Sequence, residues 1–248
     1  MNGCQNGRMS DPAAVGPATP LAPAAPVASA APVDSASPVV AVLGGTGEQG
    51  RGLARRLAMS GLRVVLGSRD PARAVAAAAG LPWEVSGTDN AGAATAGDLV
   101  VVAVPWTGHR ELLLSLADEL SGKIVIDCVN PLGFDKQGAY ALPVPEGSAA
   151  EQAQVLLPAS RVVAAFHHVS AVLLLDETVD TVDTDVLVLG DDRAATDVVQ
   201  ALADRIPGMR GVYGGRLRNV HQVEALTANL ISINRRYRAH AGLRVTGV

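Results

Sequence analysis

At 248 residues, 48% of them hydrophobic but only 3% aromatic, the chain has material for one large or two small domains, with a core of Ala, Val and Leu rather than large rings. Its 20 basic and 24 acidic side chains give a net charge of -4, without the excess of Lys and Arg that a nucleic-acid surface needs. No apolar run reaches the roughly 18 residues that cross a bilayer, which argues against a membrane span.

Residues 1–37 are dominated by Ala, Pro, Ser and Val, with prolines every few positions that block helix and sheet pairing. They are expected to form an extended, mobile tail that the fold does not need. The prolines also interrupt the alanines that would have to form the apolar block of a secretory signal. The two cysteines, Cys4 and Cys128, suggest neither a disulfide framework nor a metal-ligand spacing. A cytoplasmic protein without a metal site is the expectation.

Order is expected to begin with the apolar strand Val39 to Leu43, followed by a glycine turn from Gly44 to Gly50 and a helix through Met59. Leu62 to Gly67 reads as a second buried strand and Asp70 to Ala79 as a helix with Pro71 in its first turn. Asp98 to Val104 reads as another strand, Gly108 to Leu120 as a helix and Lys123 to Val129 as a strand. Asn130-Pro131 then opens a Gly- and Pro-rich loop to Gly147. Helix Ser148 to Leu157, strands Arg161 to Phe166 and Asp185 to Leu189, helix Asp192 to Ile206, strand Met209 to Tyr213 and helix Leu217 to His240 complete the reading. The pattern predicts an α/β fold, a Rossmann-type doubly wound parallel sheet over residues 38–147, with a smaller C-terminal α/β portion over 148–248.

Gly45-Thr46-Gly47-Glu48-Gln49-Gly50 fits G-x-G-x-x-G directly after a strand and directly before a helix. Gly45 is expected to permit the tight turn, Gly47 to let backbone approach a pyrophosphate and Gly50 to let helix and strand pack closely. An NAD site usually offers a carboxylate at the end of the second strand for the ribose 2′-OH. Here Ser68 and Arg69 stand in its place and Arg73 lies one helical turn on, a set suited to the 2′-phosphate of NADP. Glu48 would repel a pyrophosphate unless it turned to solvent. Val104-Pro105-Trp106 closes a strand at its carboxyl end, so Trp106 either lines a nicotinamide pocket or packs in the core. His167 and His168 end the strand from Arg161. Adjacent strand residues point to opposite faces, so only one is expected in a cleft, hydrogen-bonded to a second substrate, unless both are structural.

Residues 42–54 (Val-Leu-Gly-Gly-Thr-Gly-Glu-Gln-Gly-Arg-Gly-Leu-Ala) and Leu-Gly-Ser-Arg-Asp at 66–70 resemble the NADPH-dependent deazaflavin reductases, also called coenzyme F420:NADP oxidoreductases. So do Val-Pro-Trp at 104–106, Ala-Phe-His-His-Val-Ser-Ala at 165–171 and Val-Glu-Ala-Leu-Thr-Ala-Asn-Leu-Ile at 223–231. The resemblance covers everything from Val39 onward. It implies reversible hydride exchange between NADP(H) and the deazaflavin coenzyme F420, and a homodimer in which the C-terminal helices take part. It also implies that the turn residues Gly45, Thr46, Gly47, Glu48 and Gln49, with Ser68, Arg69 and Arg73, hold NADP. Val104, Pro105, Trp106, Val169 and Ala171 would then line the facing rings, and His167 would act on the deazaflavin. Ser170 and Glu48 depart from residues common among the relatives, which are proline and asparagine. The resemblance leaves open which residues receive the acidic tail of the deazaflavin. From the residues alone, a reductase of another small substrate and a non-catalytic NADP-sensing module also remain open.

Overall fold

The computed structural model describes residues 37–81 and 83–248. The tail expected over residues 1–37 therefore lies outside the described residues except for Ser37. From Val39 the chain follows the expected rhythm: β1 (Val39–Leu43), α1 (Glu48–Met59), β2 (Arg63–Ser68), α2 (Pro71–Ala79), β3 (Val85–Asp89), α3 (Asn90–Ala96), β4 (Leu99–Val102), α4 (Trp106–Ser115), α5 (Ala117–Leu120) and β5 (Ile124–Asp127). The pair β3 and α3 has no counterpart in the sequence reading. Val-Ser-Gly-Thr-Asp is a half-exposed edge strand and Asn-Ala-Gly-Ala-Ala-Thr-Ala a short helix, and neither carries the large apolar residues that make periodicity visible.

The predicted loop after Asn130 contains a hairpin, β6 (Leu132–Asp135) and β7 (Gly138–Ala141), pinned by Asp135 Oδ1, which accepts from Gln137 N at 2.7 Å and Gly138 N at 3.2 Å. Then follow α6 (Ala149–Leu156), β8 (Arg161–Ala164), α7 (Ala171–Leu175), β9 (Thr184–Gly190), α8 (Arg193–Asp204), β10 (Met209–Gly215), a 3-10 turn (Leu217–Asn219) and α9 (Val220–Tyr237).

These strands form one sheet in the order β10-β9-β8-β5-β4-β1-β2-β3. All its neighbours are parallel except β8 and β9, so the parallel sheet expected over residues 38–147 is present and the one antiparallel pair of this sheet lies in the C-terminal portion. A parallel return needs a crossover that covers the sheet, usually a helix. After β8 the chain instead builds the five-residue α7 and a loop, and re-enters the sheet in reverse. The portion from residue 148 onward thus extends the same sheet, and the described residues from Ser37 onward belong to one compact unit.

Both faces of the sheet are covered. Val40 and Val42 point into one core with Leu53, Leu57 and Ala74 of α1 and α2, and continue to Val199 of α8. Ala41 and Leu43 point into the other, with Ala93, Leu113, Ala153 and Val220 from α3, α4, α6 and α9. Burial on both faces explains why the strands read as unbroken apolar runs. Among the described residues no helix is long and apolar enough to cross a membrane.

Candidate active site

The parallel strands end together at one edge of the sheet, the edge where open α/β folds bind ligands. A cleft of about 470 Å³ lies there. It is bounded by the α1 turn, the end of β4 and start of α4, the segment after β5, residues 167–171 and one face of α9.

The α1 turn is built by close contacts. Gly44 carries the left-handed conformation (φ 76°), and a Cβ there would fall 2.5 Å from the Ala103 carbonyl oxygen. Gly45 stands inside the same turn, and a Cβ there would fall 2.9 Å from the Val42 carbonyl oxygen. A Cβ on Gly50 would meet the Gly44 oxygen at 2.6 Å, which accounts for that glycine by packing alone. Gly47 differs. A Cβ there would meet only the Gly44 oxygen at 3.5 Å, so the protein's own packing does not demand glycine. The open space stands at the N-cap of α1, where backbone N–H groups face outward and favour an anion. Glu48, which the sequence leads one to expect pointing away from a pyrophosphate, is exposed and borders the cleft.

At the end of β2, Ser68 is buried and its Oγ accepts from Asp70 N at 3.2 Å. Arg69 and Arg73 are exposed beside it. These three, with Gly45 and Thr46, lie outside the cleft itself, whereas Gly47, Glu48, Gln49, Val104, Pro105, Trp106, His167, Val169 and Ala171 all line it. The two groups occupy the ends of adjacent strands β2 and β1, which pair in register from Val39 with Arg63 to Leu43 with Gly67. An extended dinucleotide has one polar end and one ring end to place across them.

The histidines correct the sequence reading. β8 ends at Ala164 and Phe166 takes a positive φ of 63°, so strand alternation no longer applies and both His167 and His168 line the cleft. Both are buried, and burial pushes each imidazole pKa down to about 4, leaving both neutral near pH 7. They differ in their partners: His168 Nε2 accepts from Leu187 N of β9 at 3.4 Å and only its Nδ1 is left without one, whereas among the described residues neither ring nitrogen of His167 has a partner. A buried imidazole with both nitrogens free in a cleft is a position that a ligand's polar atoms can satisfy.

Two residues that the sequence reading did not single out fix His167. Asn130 Nδ2 donates to the His167 carbonyl oxygen at 2.9 Å, and Thr227 Oγ lies 3.4 Å from the same oxygen and 3.3 Å from Asn130 Oδ1. Gln49 Nε2 of α1 donates to the Phe166 oxygen at 3.2 Å. The histidine turn is thereby tied to the turn of α1, to β5 and to α9. The Asn-Pro after a strand was the available signal for Asn130.

Trp106 lies in the cleft wall with its ring 5.5 Å from that of His109, one turn on in α4. His109 is fully buried; its Nε2 is 2.6 Å from Asp127 Oδ2 and its Nδ1 3.1 Å from Gln152 Oε1. Behind them Glu224 of α9, also buried, accepts from Ala149 N at 2.9 Å and Ala150 N at 3.3 Å at the start of α6. Burial, with Asp127 nearby, pushes the Glu224 carboxyl pKa up to about 8 against the pull of those N–H groups. Cys128 is no nucleophile: burial raises its thiol pKa beyond the physiological range, and Sγ donates to the Val102 oxygen at 3.0 Å. Among the described residues no cluster of His, Cys, Asp or Glu could hold a metal ion.

Comparison with known proteins agrees with this geometry. The family model described as NADP oxidoreductase, coenzyme F420-dependent, matches residues 39–131. The F420-dependent NADP reductase of Methanothermobacter marburgensis is 38% identical over 221 residues, 84% of this chain and 98% of that protein. The enzyme of the same name from Methanocaldococcus jannaschii is 37% identical over 222 residues, again 84% of this chain and 98% of that protein. A solved structure from an Arthrobacter species, provisionally named an F420-dependent NADP reductase, superimposes with a TM-score of 0.73 at 29% identity, covering 84% of this chain and 98% of that one. The chain belongs to the family of coenzyme F420-dependent NADP oxidoreductases.

Proposed function

We propose that this chain is an NADPH-dependent F420 reductase that exchanges hydride between NADP(H) and the deazaflavin coenzyme F420 in the cleft at the carboxyl ends of β1, β4, β5 and β8. The observation that carries the reading is the buried His167 with two unpartnered ring nitrogens, in the same cleft as the open N-cap of α1. The two bound coenzymes supply the redox chemistry between them: two electrons and a proton pass as hydride from nicotinamide C4 to deazaflavin C5, or back. The protein therefore needs no base on the reaction path and contributes alignment and exclusion of water.

Each residue has a part in that alignment. Backbone N–H groups of Gly45 to Gln49 hold the pyrophosphate at the α1 N-terminus, while Ser68, Arg69 and Arg73 hold the 2′-phosphate. Val104, Pro105 and Trp106 form the wall against the nicotinamide. Val169 and Ala171 give the apolar side of the deazaflavin pocket. His167, neutral and gripped through its carbonyl by Asn130 and Thr227, hydrogen-bonds a ring heteroatom and sets the distance between the two reacting carbons. On this reading residues 38–147 supply the NADP half of the site and 148–248 the deazaflavin half. The enzyme works in the cytoplasm as a homodimer.

The test is direct. Purified protein mixed with NADPH and oxidised deazaflavin should oxidise one NADPH per deazaflavin reduced. NADPH binding without reduction would make the chain a sensing module and reject the enzyme reading.

A further inference from the structure

A second cleft, of about 620 Å³, lies between the β6–β7 hairpin and the last turns of α9. Ile231 lines it and also lines the main cleft, so the two spaces meet across one side chain. Its other walls include the exposed Phe134 and three arginines, Arg235, Arg236 and Arg238. Among the described residues none of the three guanidiniums pairs with a carboxylate. The one acid in the cleft, Asp135, has an oxygen committed to the hairpin turn through Gln137 N and Gly138 N. Three free guanidiniums around one cavity are a local reversal of charge in a chain of net charge -4.

Arg238 adds an independent observation. It caps α9 in the left-handed conformation, φ 52° and ψ 47°. Glycine or asparagine normally takes that position, because a Cβ is crowded there. The only other described non-glycine residue with positive φ is Phe166, at the histidine turn of the main cleft. Attraction to the negative end of the helix accounts for Arg235 and Arg236 in the last turn. It does not account for an arginine at the cap itself, where glycine closes a helix with less strain.

We propose that this arginine-lined cleft is the subsite for the acidic side chain of the deazaflavin, which leaves the main cleft past Ile231 and is held by charge-assisted hydrogen bonds from Arg235, Arg236 and Arg238. The proposal rests on the reading of the main cleft as the deazaflavin site. It is tested with Arg238→Gly and two substrates: the complete coenzyme, and the same deazaflavin cut back to its neutral side chain. For the complete coenzyme KM should rise about tenfold, as expected for loss of one charge-assisted bond, and should depend less on salt. KM for the truncated deazaflavin and for NADPH should stay within about twofold, below the change that losing such a bond brings. The melting temperature should hold or rise, since glycine suits the cap. Arg235→Gln and Arg236→Gln should shift the same KM in the same direction. An equal rise for both deazaflavins, or no rise for the complete coenzyme, overturns the proposal. Failure of the reading of the main cleft would show differently, as no turnover of either deazaflavin by the unsubstituted protein, and would remove the proposal with it.

Discussion

His167 is held neutral by burial, with a pKa pushed down to about 4, so near pH 7 it offers one N–H and one bare nitrogen to a ligand. If its task is to align rings, His167→Ala should lower deazaflavin reduction about ten- to a hundredfold by loosening the distance between the reacting carbons. NADPH affinity by calorimetry should stay unchanged, and loss of NADPH binding would refute the assignment. His168→Ala should act chiefly on stability, because that ring already bonds Leu187 of β9. At the other end of the site, Arg69→Ala should weaken NADPH by the roughly 1.5–3 kcal/mol of a charge-assisted contact while leaving NADH nearly untouched; equal losses, read by titration of both cofactors, would show that Arg69 does not meet the 2′-phosphate. At this scale the glycine turn and the histidine pair were legible because each requires an unusual residue at a strand end. The orientation of the pair was not. It depends on the positive φ of Phe166, a conformation for which a bulky aromatic gives no sequence signal. Thr227 was equally silent, being a helical residue that meets His167 only through folding.

The elements are tied to one another by buried polar groups, and α9 shows how. Its residue Glu224 caps α6, and one turn later Thr227 reaches the histidine carbonyl, so the same helix carries a structural anchor and a wall of the cleft. On the far side of the sheet Arg56 of α1, fully buried, donates to the carbonyl oxygens of Leu174 at 2.9 Å and Val179 at 2.7 Å and so closes the end of α7. The anchor on α9 has a pH signature. Glu224 sits at a pKa of about 8 in the fold against an ordinary value near 4.5. Its contribution to stability is therefore complete below pH 4.5 and is lost progressively as pH rises to about 8, at up to about 1.4 kcal/mol per unit. Glu224→Gln cannot ionise and keeps an acceptor for the α6 amides. Melting temperatures at pH 5, 6.5 and 8 should show the variant gaining on the wild type across that interval, with the difference level above it. A constant difference across the range would mean that Glu224 is ionised in the fold throughout.

At the scale of the whole molecule, the alternation of apolar strand and amphipathic helix from Val39 to Val129 was readable because a two-sided parallel sheet demands continuous burial. What the sequence hid was whatever that demand does not reach: the half-exposed edge strand β3, the surface hairpin β6–β7 and the direction of β9, which is set by how the chain turns after β8. Beyond α9 the C-terminal segment folds back onto the sheet. Fully buried Asp185 of β9 accepts from Arg210 Nη2 at 2.7 Å, Arg244 Nη1 at 2.6 Å and Val245 N at 2.6 Å, and Ala241 thereby joins the wall of the cleft. Among the described residues α9 carries an apolar stripe that is exposed toward its C-terminal end. Leu226, Ile233 and Tyr237 recur at i, i+7 and i+11 and so share a face of α9; Leu226 is half-buried, Ile233 39% exposed and Tyr237 72% exposed. A two-fold axis would set this stripe against its own copy. At about 100° per residue, Arg235 lies roughly 200° around the helix from Ile233 and so faces away from the stripe, while Arg236 lies roughly 60° from Ile233, at its margin. The proposed homodimer then requires that the protein sediment at twice the chain mass, and that Ile233→Glu combined with Tyr237→Glu yield a monomer with unchanged circular dichroism, because two like charges would face their copies across the axis. A wild-type monomer at micromolar concentration rejects the homodimer, and a variant that stays dimeric moves the interface off α9.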